Sequence, residues 1–210
     1  MVKIVHIERS GSKVCIELDN EEKAWITGGD LLTSSFTEEQ QLEEHDFWKT
    51  IYLLQYPRAL NQAVAMLARR PCSKKEIENK LIRNRYSSEI VAQVLLKLEN
   101  ENLINDAEFS VQWIRYRQNM NYGPARIAAE LRQKGVSEDD TKRAMTALED
   151  SDYDHNALEL AKKAWSRIRT HDNPYINRQK VIAALIRKGY HWDQAKKACE
   201  MAENEYKTTG

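Results

Sequence analysis

YGPARIAAELRQKGV, at residues 122–136, is the most informative part of the sequence for the fold, because its pattern of apolar residues occurs twice more in the chain. EIENKL at residues 76–81 lies fifty positions before RIAAEL at residues 126–131, and KVIAAL at residues 180–185 lies fifty-four positions after it. Each copy has two apolar residues four positions apart, on one face of a helix. The sequence therefore contains an internal repeat of about fifty residues, which is typical of tandem helical modules.

A turn and a second helix follow each copy. Gly135 and Gly189 come where a helix needs a left-handed residue to end it, a conformation that glycine adopts without steric cost. The first copy has Asn84-Arg85 at this point, so either Asn84 takes the left-handed conformation or the turn has another shape. The apolar spacing predicts second helices over residues 87–99, 137–148 and 191–201.

A third helix completes the first two copies. Asp106 and Asp154 are the predicted caps of this helix, which covers residues 107–120 in the first copy and passes through Ala157 and Ile168 in the second. A lone three-helix unit of this size is only marginally stable, so neighbouring units should stack and share cores. The predicted fold class is mainly α, with tandem three-helix repeats in an elongated array.

The N-terminal part has a different pattern. Apolar and polar residues alternate over residues 2–7, with a slip between Ile4 and Ile7, and again over residues 14–18 and 24–26. Turn residues lie between these segments, which predicts a small β-hairpin or three-stranded segment. Thr37 and Gln40 form a capping-box pattern, so the first helix should begin near Thr37, and Pro57 should break it. Residues 1–50 hold 5 Lys and Arg against 11 Asp and Glu, so this region is acidic.

These features divide the chain into four regions. The first is an acidic N-terminal region, a β-hairpin and then a helix, over residues 1–56. A first three-helix repeat follows over residues 57–121, a second over 122–172, and a third, partial repeat over 173–210.

Composition narrows the classes of function. The formal net charge is 0, which is weaker than the charge of a protein that holds bare nucleic acid by electrostatics alone. No apolar stretch is long enough to span a membrane, and the N-terminus lacks the apolar core of a signal peptide. The 3 cysteines are far apart in sequence, so we expect neither a disulfide framework nor a metal site. These features favour a cytoplasmic protein.

No catalytic constellation is readable in the sequence. It contains no phosphate-binding loop, no dinucleotide-binding glycine pattern and no zinc-protease helix motif. The 5 histidines are scattered, and His45 with Asp46 comes nearest to a pair. Adjacent residues of a helix point about 100° apart, so these two are expected on a solvated surface. We therefore expect no catalytic residue, no cofactor and no metal, and a function other than catalysis.

Basic residues of the second repeat are the candidates for binding a partner. Arg126 and Lys134 each lie four positions from Glu130, so one interpretation is a solvated helix face with ion pairs. The other interpretation is a binding surface, because aromatic residues lie near the same basic runs. Trp113 and Tyr116 are nevertheless expected in the core, at helical spacing. The candidate partner-binding residues are Arg115, Arg117, Arg126, Arg132 and Lys134.

The same part of the chain resembles a signature of the RecX family of regulatory proteins. LINDAEFSVQWIRYR, at residues 103–117, is similar to the family's L-x-(N/D)-D-x-x-(F/Y)-(A/S)-x-x-aromatic pattern, and residues 122–136 are similar to its YGPxRIxxELxxKG pattern. SKKEI at residues 73–77 resembles the opening of the family's first repeat, and RKGY at residues 187–190 the close of the third. The first repeat departs from the family at Asn84-Arg85, where a basic residue and glycine are usual.

The resemblance implies a function that the residue spacing alone does not. Members of the family bind RecA recombinase filaments on DNA, and they inhibit strand exchange, ATP hydrolysis and the coprotease role of the filament in DNA repair and the SOS response. The stacked repeats predict a monomer, and weak direct DNA binding is a further expectation. The alternative is a general nucleic-acid-binding helical repeat protein without a recombinase partner. The role of residues 1–50 is open at this point.

Overall fold

The computed structural model describes residues 1–148, 151–168 and 173–209, which form ten helices and four strands. The chain consists of two compact units, Met1–Ile104 and Asn105–Gly210. The first unit contains all four of these strands, and the second is helical. A mainly α fold of tandem three-helix repeats with a small N-terminal sheet is therefore confirmed. The elongated shape of the array stays a prediction.

The N-terminal sheet is antiparallel and has one strand more than the sequence predicted. Its spatial order is β3-β2-β1-β4, so the short last strand pairs with β1. The register of β1 against β2 shifts between Ile4 and His6, which is the slip in the alternating pattern of residues 2–7. The strands are β1 (Val2–Ser10), β2 (Lys13–Leu18), β3 (Lys23–Thr27) and β4 (Gln41–Leu42).

The first helix begins earlier than predicted. Helix α1 (Gly28–Ser34) starts directly after β3, where Thr27 and Asp30 form a reciprocal capping box. The prediction that the first helix begins near Thr37 is wrong. Thr37 does receive the expected contact, since its backbone N–H donates to Oε1 of Gln40 over 3.1 Å, but this contact closes a turn that leads into β4.

Pro57 does not break its helix, contrary to the prediction. Helix α2 (Glu44–Leu67) is continuous over 24 residues, with Pro57 inside it. A proline within a helix removes one hydrogen bond to the carbonyl four residues earlier, here that of Leu53. Leu53 is exposed, so this residue lies on the outer face of the helix, where water can replace the lost partner.

Eight further helices follow, and three of them begin after serine caps that the sequence analysis did not predict. Ser73, Ser87 and Ser137 each accept a backbone N–H with the side-chain oxygen. Asn105, one residue before the predicted Asp106, caps its helix, and Asp154 lies inside a helix instead of capping one. The helices are α3 (Lys74–Arg83), α4 (Ser88–Asn100), α5 (Asp106–Gln118), α6 (Pro124–Gln133), α7 (Glu138–Ala147), α8 (Ser151–Trp165), α9 (Pro174–Lys188) and α10 (Trp192–Thr209).

The turn after α3 has the same backbone geometry as the glycine turns. Arg85, and not Asn84, takes the left-handed conformation, with φ of 64° against 78° at Gly135 and 94° at Gly189. In each copy, the residue after the left-handed one donates its backbone N–H to the carbonyl oxygen of the second apolar residue of the repeat. In the first copy, Tyr86 donates to Leu81 over 3.3 Å. Both alternatives that the sequence left open are therefore wrong: Asn84 is not the left-handed residue, and the turn keeps its shape with Arg85 in that position.

Polar side chains attach the sheet to the helices of the first unit. Nε2 of the buried Gln55 donates to the backbone oxygen of Trp25 over 2.6 Å. Arg58 pairs with the buried Asp30 over 2.5 Å, and the guanidinium of Arg85 lies over the ring of Trp25. The N-terminal region is thus part of the first compact unit and packs against its helices.

The apolar cores follow the division into two units. In the first, one cluster lies under the sheet around Phe47, and another lies between α2, α3 and α4 around Ile77. In the second, a single cluster extends through α5 to α10 and includes Ile127, Tyr153 and Leu185. In the described part of the chain, no helix combines the length and the apolar character needed to cross a membrane.

Candidate protein-binding surface

The five predicted binding residues lie on two helices of the second unit, in different environments. Arg115 and Arg117 are on α5, Arg126 and Arg132 are on α6, and Lys134 is the residue that ends α6. The structure brings Arg117 and Arg126 together on one carboxylate. Arg115 and Arg132 remain exposed. The five residues are therefore not one continuous cationic patch.

Arg117 is bound inside the unit by Glu130. Its Nε donates to Oε2 of Glu130 over 2.6 Å, and its Nη2 donates to Oε1 of the same carboxylate. Both side chains are mostly buried, with exposed fractions of 15% and 17%. The hydrogen bonds that Arg117 donates to Glu130 raise the pKa of the arginine. Arg117 is thus a structural ion-pair partner, and its replacement would remove a charge that pairs with the mostly buried Glu130.

Glu130 accepts hydrogen bonds from two arginines. Burial raises the pKa of this carboxyl group, but the hydrogen bonds from Arg117 and Arg126 outweigh the burial and leave the pKa below its ordinary value. Arg126, which is about half exposed, bonds Oε1 through its Nε over 3.2 Å. The ion pair between Arg126 and Glu130 that the spacing predicted is therefore present.

Three cations surround the ring of Tyr122. Arg117 lies 4.1 Å from the ring centroid, Arg126 lies 4.4 Å from it and Lys188 lies 4.1 Å from it. Such contacts are each worth about 0.5–1 kcal/mol at exposed sites. Sequence reasoning missed Lys188, which precedes Gly189 as Lys134 precedes Gly135, so the repeat alignment was the signal that could have pointed to it.

Aromatic side chains contact one another in a row along α5, with Phe109 and Trp113 stacked and Trp113 and Tyr116 tilted. The ring centroids of Phe109 and Trp113 are 6.0 Å apart, and those of Trp113 and Tyr116 are 5.7 Å apart. Lys134 lies over Trp113, with its Nζ 4.1 Å from the ring centroid. Trp113 is half-buried, but Tyr116 is 50% exposed, so the expectation that Tyr116 belongs to the core is wrong.

Arg115 and Arg132 are the two predicted residues with exposed, weakly engaged charges. The side chain of Arg132 is 69% exposed, and its one ion pair among the described residues is a long 3.8 Å contact with the exposed Glu138. Arg115 is exposed at the edge of a cavity of about 520 Å³, which is also lined by Asn119, His155 and Asn156. These two guanidinium groups can meet an acidic partner at the cost of no contact stronger than the long Arg132–Glu138 pair.

The described residues offer no metal site. Among them, no three His, Cys, Asp or Glu side chains come together as metal ligands would. The three cysteines are buried, and none of them forms a disulfide.

Comparison with known families identifies the three helical modules. Three family models match, described as the first, second and third three-helix domains of RecX, at residues 59–98, 105–145 and 152–199. Together they cover more than half of the chain. The chain belongs to the RecX family. The family models place α5 in the second domain, whereas the sequence interpretation ended its first repeat at residue 121; the boundaries at 56, 121 and 172 stay a prediction.

Curated relatives carry the name regulatory protein RecX. One from Streptococcus pyogenes serotype M1 is 25% identical over 196 residues, which is 93% of this chain and 75% of that protein. Another, from Bacillus subtilis (strain 168), is 24% identical over 98% of this chain and 78% of that protein. These names support a regulatory role for this member of the RecX family.

Solved RecX structures share the fold. One described as a crystal structure of regulatory protein RecX is 25% identical, with a TM-score of 0.65 over 97% of this chain and 100% of the other. A RecX from Lactobacillus salivarius superposes with a TM-score of 0.65 at 23% identity, over 71% of this chain and 97% of that structure. The likeness of the first extends over nearly the whole chain, the N-terminal region included.

Proposed function

We propose that this protein binds the RecA recombinase filament and inhibits its strand exchange, ATP hydrolysis and coprotease activity, without catalysing a reaction itself. The observation that carries the proposal is the match of all three RecX domains, in order, along the chain. Relatives that share this arrangement are named as regulatory proteins.

The surface of the second domain supports a protein partner. Arg115 and Arg132 present exposed guanidinium groups, and the exposed ring of Tyr116 lies on the same helix as Arg115. Arginine and tyrosine are enriched at protein interfaces, because both combine apolar area with polar groups. Exposed charges also raise the rate of association with an acidic surface. We propose that Arg115, Arg126, Arg132 and Lys134 contact the filament, and that Arg117 holds this surface in shape through Glu130.

Binding to several subunits at once explains inhibition in physical terms. A helix of 13 residues, such as α4 or α5, is about 20 Å long, so each domain covers part of one filament subunit. Tandem domains in a groove of the filament would contact successive subunits. Such a bridge blocks access of DNA to the groove and resists the subunit motions that accompany nucleotide turnover.

The single-strand-dependent ATPase of the cognate recombinase tests the proposal. Adding the protein to preformed filaments should lower the rate in a concentration-dependent way, and the protein alone should hydrolyse no ATP. The control is the same titration with heat-denatured protein. An unchanged ATPase rate at concentrations well above that of the recombinase would contradict the proposed function.

Direct nucleic-acid binding is the second candidate, and the aromatic row on α5 favours it. Exposed aromatic rings beside cations can stack on the bases of single strands, as Tyr116 and Lys134 could do here. This activity predicts binding to bare single strands at physiological salt that weakens steeply as salt increases. Inhibition of the ATPase without measurable binding to bare strands would favour the recombinase partner.

A further inference from the structure

The end of α9 joins the start of α6 through their backbones. The N–H of Gly123 donates to the carbonyl oxygen of Lys188 over 2.8 Å, and the N–H of Ala125 donates to that of Gly189 over 3.1 Å. The first turn of a helix leaves its N–H groups without partners inside the helix, and the last turn leaves its carbonyl groups without them. Here the free N–H groups at the start of α6 bond to the free carbonyl groups at the end of α9. The positive end of one helix dipole also meets the negative end of the other. The contact therefore joins the second and third domains.

Two glycines make this close approach possible. A Cβ atom on Gly123 would lie closer than 3.0 Å to the carbonyl group of Gly189 and to the backbone nitrogen of Tyr190. A Cβ atom on Gly189 would lie 2.7 Å from the backbone nitrogen of Arg126. The obstructing atoms are backbone or the first side-chain carbon, which cannot move aside as the end of a flexible side chain can. Gly123 itself has an ordinary φ of −81°, so the close approach, and not its conformation, requires glycine there.

Side chains reinforce the backbone contact on two sides. Lys188 and Arg126, one from each domain, both lie over the Tyr122 ring, at 4.1 and 4.4 Å from its centroid. On α8, Asn156 donates its Nδ2 to the carbonyl oxygen of Gln118 at the end of α5, over 3.1 Å. The two domains are therefore connected at separate points, which resists rotation of one against the other.

We propose that the Gly123–Gly189 contact fixes the orientation of the third domain relative to the second, and that this orientation lets both domains engage the partner at once. The functional half of this proposal rests on the proposed binding to the recombinase filament. When two linked domains are held in the right geometry, binding of the first gives the second a high effective concentration at its own site, which raises the overall affinity. A wrong geometry removes this gain in affinity even though the binding surface of each domain is unchanged. Gly123 and Gly189 are thus positioning residues that do not touch the partner.

Gly123→Ala and Gly135→Ala are the matched variants that test this. Gly123→Ala adds one carbon at the domain contact in an ordinary backbone conformation, whereas Gly135→Ala strains a left-handed residue in the equivalent turn of the second domain. The orientation is measured as the distance between spin labels on Lys142→Cys in α7 and Gln179→Cys in α9, both exposed. The native cysteines are buried, so labelling favours the introduced ones. Circular dichroism verifies folding.

We expect Gly123→Ala to shift or broaden the label distance and to weaken ATPase inhibition at least about tenfold, while Gly135→Ala keeps both near wild type. If Gly123→Ala unfolds the protein, Tyr122→Leu replaces it, because this variant removes the cation contacts and introduces no clash; the same two changes are expected, to a smaller extent. An unchanged label distance in the folded variant would overturn the structural half of the proposal. A changed distance with wild-type inhibition would overturn the functional half. A wild-type protein that does not inhibit at all would contradict the proposed function, while the label distance would still decide whether the glycine contact sets the orientation.

Discussion

The turn after α3 and the turn after α9 share a backbone geometry but have different neighbours. In the first, Arg85 takes the left-handed position and its guanidinium lies 5.1 Å from the ring centroid of Trp25 in β3. In the third, Gly189 takes this position and lies against the backbone of Arg126 in α6. The first turn faces side chains of a sheet, and the third faces the backbone of a helix.

The comparison shows what selects the residue at the end of a repeat. The left-handed conformation disfavours any residue with a Cβ atom, by roughly 1–2 kcal/mol. A cation over an indole ring stabilises the fold by about 0.5–1 kcal/mol, which offsets part of this conformational cost, so arginine is tolerated next to Trp25. No side chain can be tolerated at Gly189, because the space is already occupied. The groups that pack against each turn, and not the conformation of the turn itself, therefore decide whether glycine is required.

Giving the third turn the residue of the first should have the largest effect. Gly189→Arg adds a left-handed side chain and places it against the backbone of α6, so we expect a loss of roughly 3 kcal/mol or more in the free energy of unfolding. Chemical denaturation followed by circular dichroism measures it. A loss below about 1 kcal/mol would mean that α6 and α9 can separate without cost, which would contradict the glycine contact.

Gly135→Val isolates the cost of the left-handed conformation in a turn of the second domain. A β-branched residue with φ near 78° should destabilise the protein by roughly 1 kcal/mol or more. The same denaturation experiment applies, and the effect should be smaller than that of Gly189→Arg. Equal losses for the two variants would show that the close approach at Gly189 adds nothing to the conformational cost.

Arg85 provides the smallest and sharpest comparison. Arg85→Gly removes the strain of the left-handed conformation but also removes the contact with Trp25. These two effects should nearly cancel, so we expect the free energy of unfolding to change by less than about 0.5 kcal/mol. Arg85→Ala loses the contact and keeps the strain, so it should be less stable than Arg85→Gly. This reverses the usual order of alanine and glycine. If the Arg85→Ala protein is more stable than the Arg85→Gly protein, the left-handed conformation at this position does not carry the cost that we assign to it.

The features predicted correctly from the sequence are those that depend on local patterns. The repeat of RIAAEL, the glycine turns and the second helix of each copy follow from the spacing of a few neighbouring residues, and the structure contains them. The slip in the alternation of β1 likewise corresponds to the register shift between Ile4 and His6. These features were accessible because their physical causes lie within a few residues along the chain.

The errors share a dependence on distant contacts. Pro57 was expected to end a helix, but packing on both sides of it keeps α2 continuous. Arg117 was treated as a surface cation, because nothing in its neighbourhood shows that Glu130, thirteen positions later, folds back onto it. Lys188 reaches Tyr122 across more than sixty positions of sequence, which no helical spacing reveals. Of the candidate site, the sequence therefore indicated the helices correctly but not which cations are exposed.

The central claim is that the exposed arginines of the second domain hold the recombinase filament. Its most direct test is the recombinase ATPase titrated with the wild type, with Arg115→Glu/Arg132→Glu, and with the control Arg9→Glu/Lys49→Glu, which reverses two exposed charges of the first unit. Surface changes of this kind usually alter stability by under about 0.5 kcal/mol each, so all three proteins should fold alike.

We expect the Arg115→Glu/Arg132→Glu variant to inhibit at least about tenfold less potently, a loss of about 1.4 kcal/mol in binding, while the control stays near wild type. Wild-type inhibition should also weaken as salt increases. A folded Arg115→Glu/Arg132→Glu variant that inhibits as well as the wild type would contradict the claim and would place the contact on the other domains.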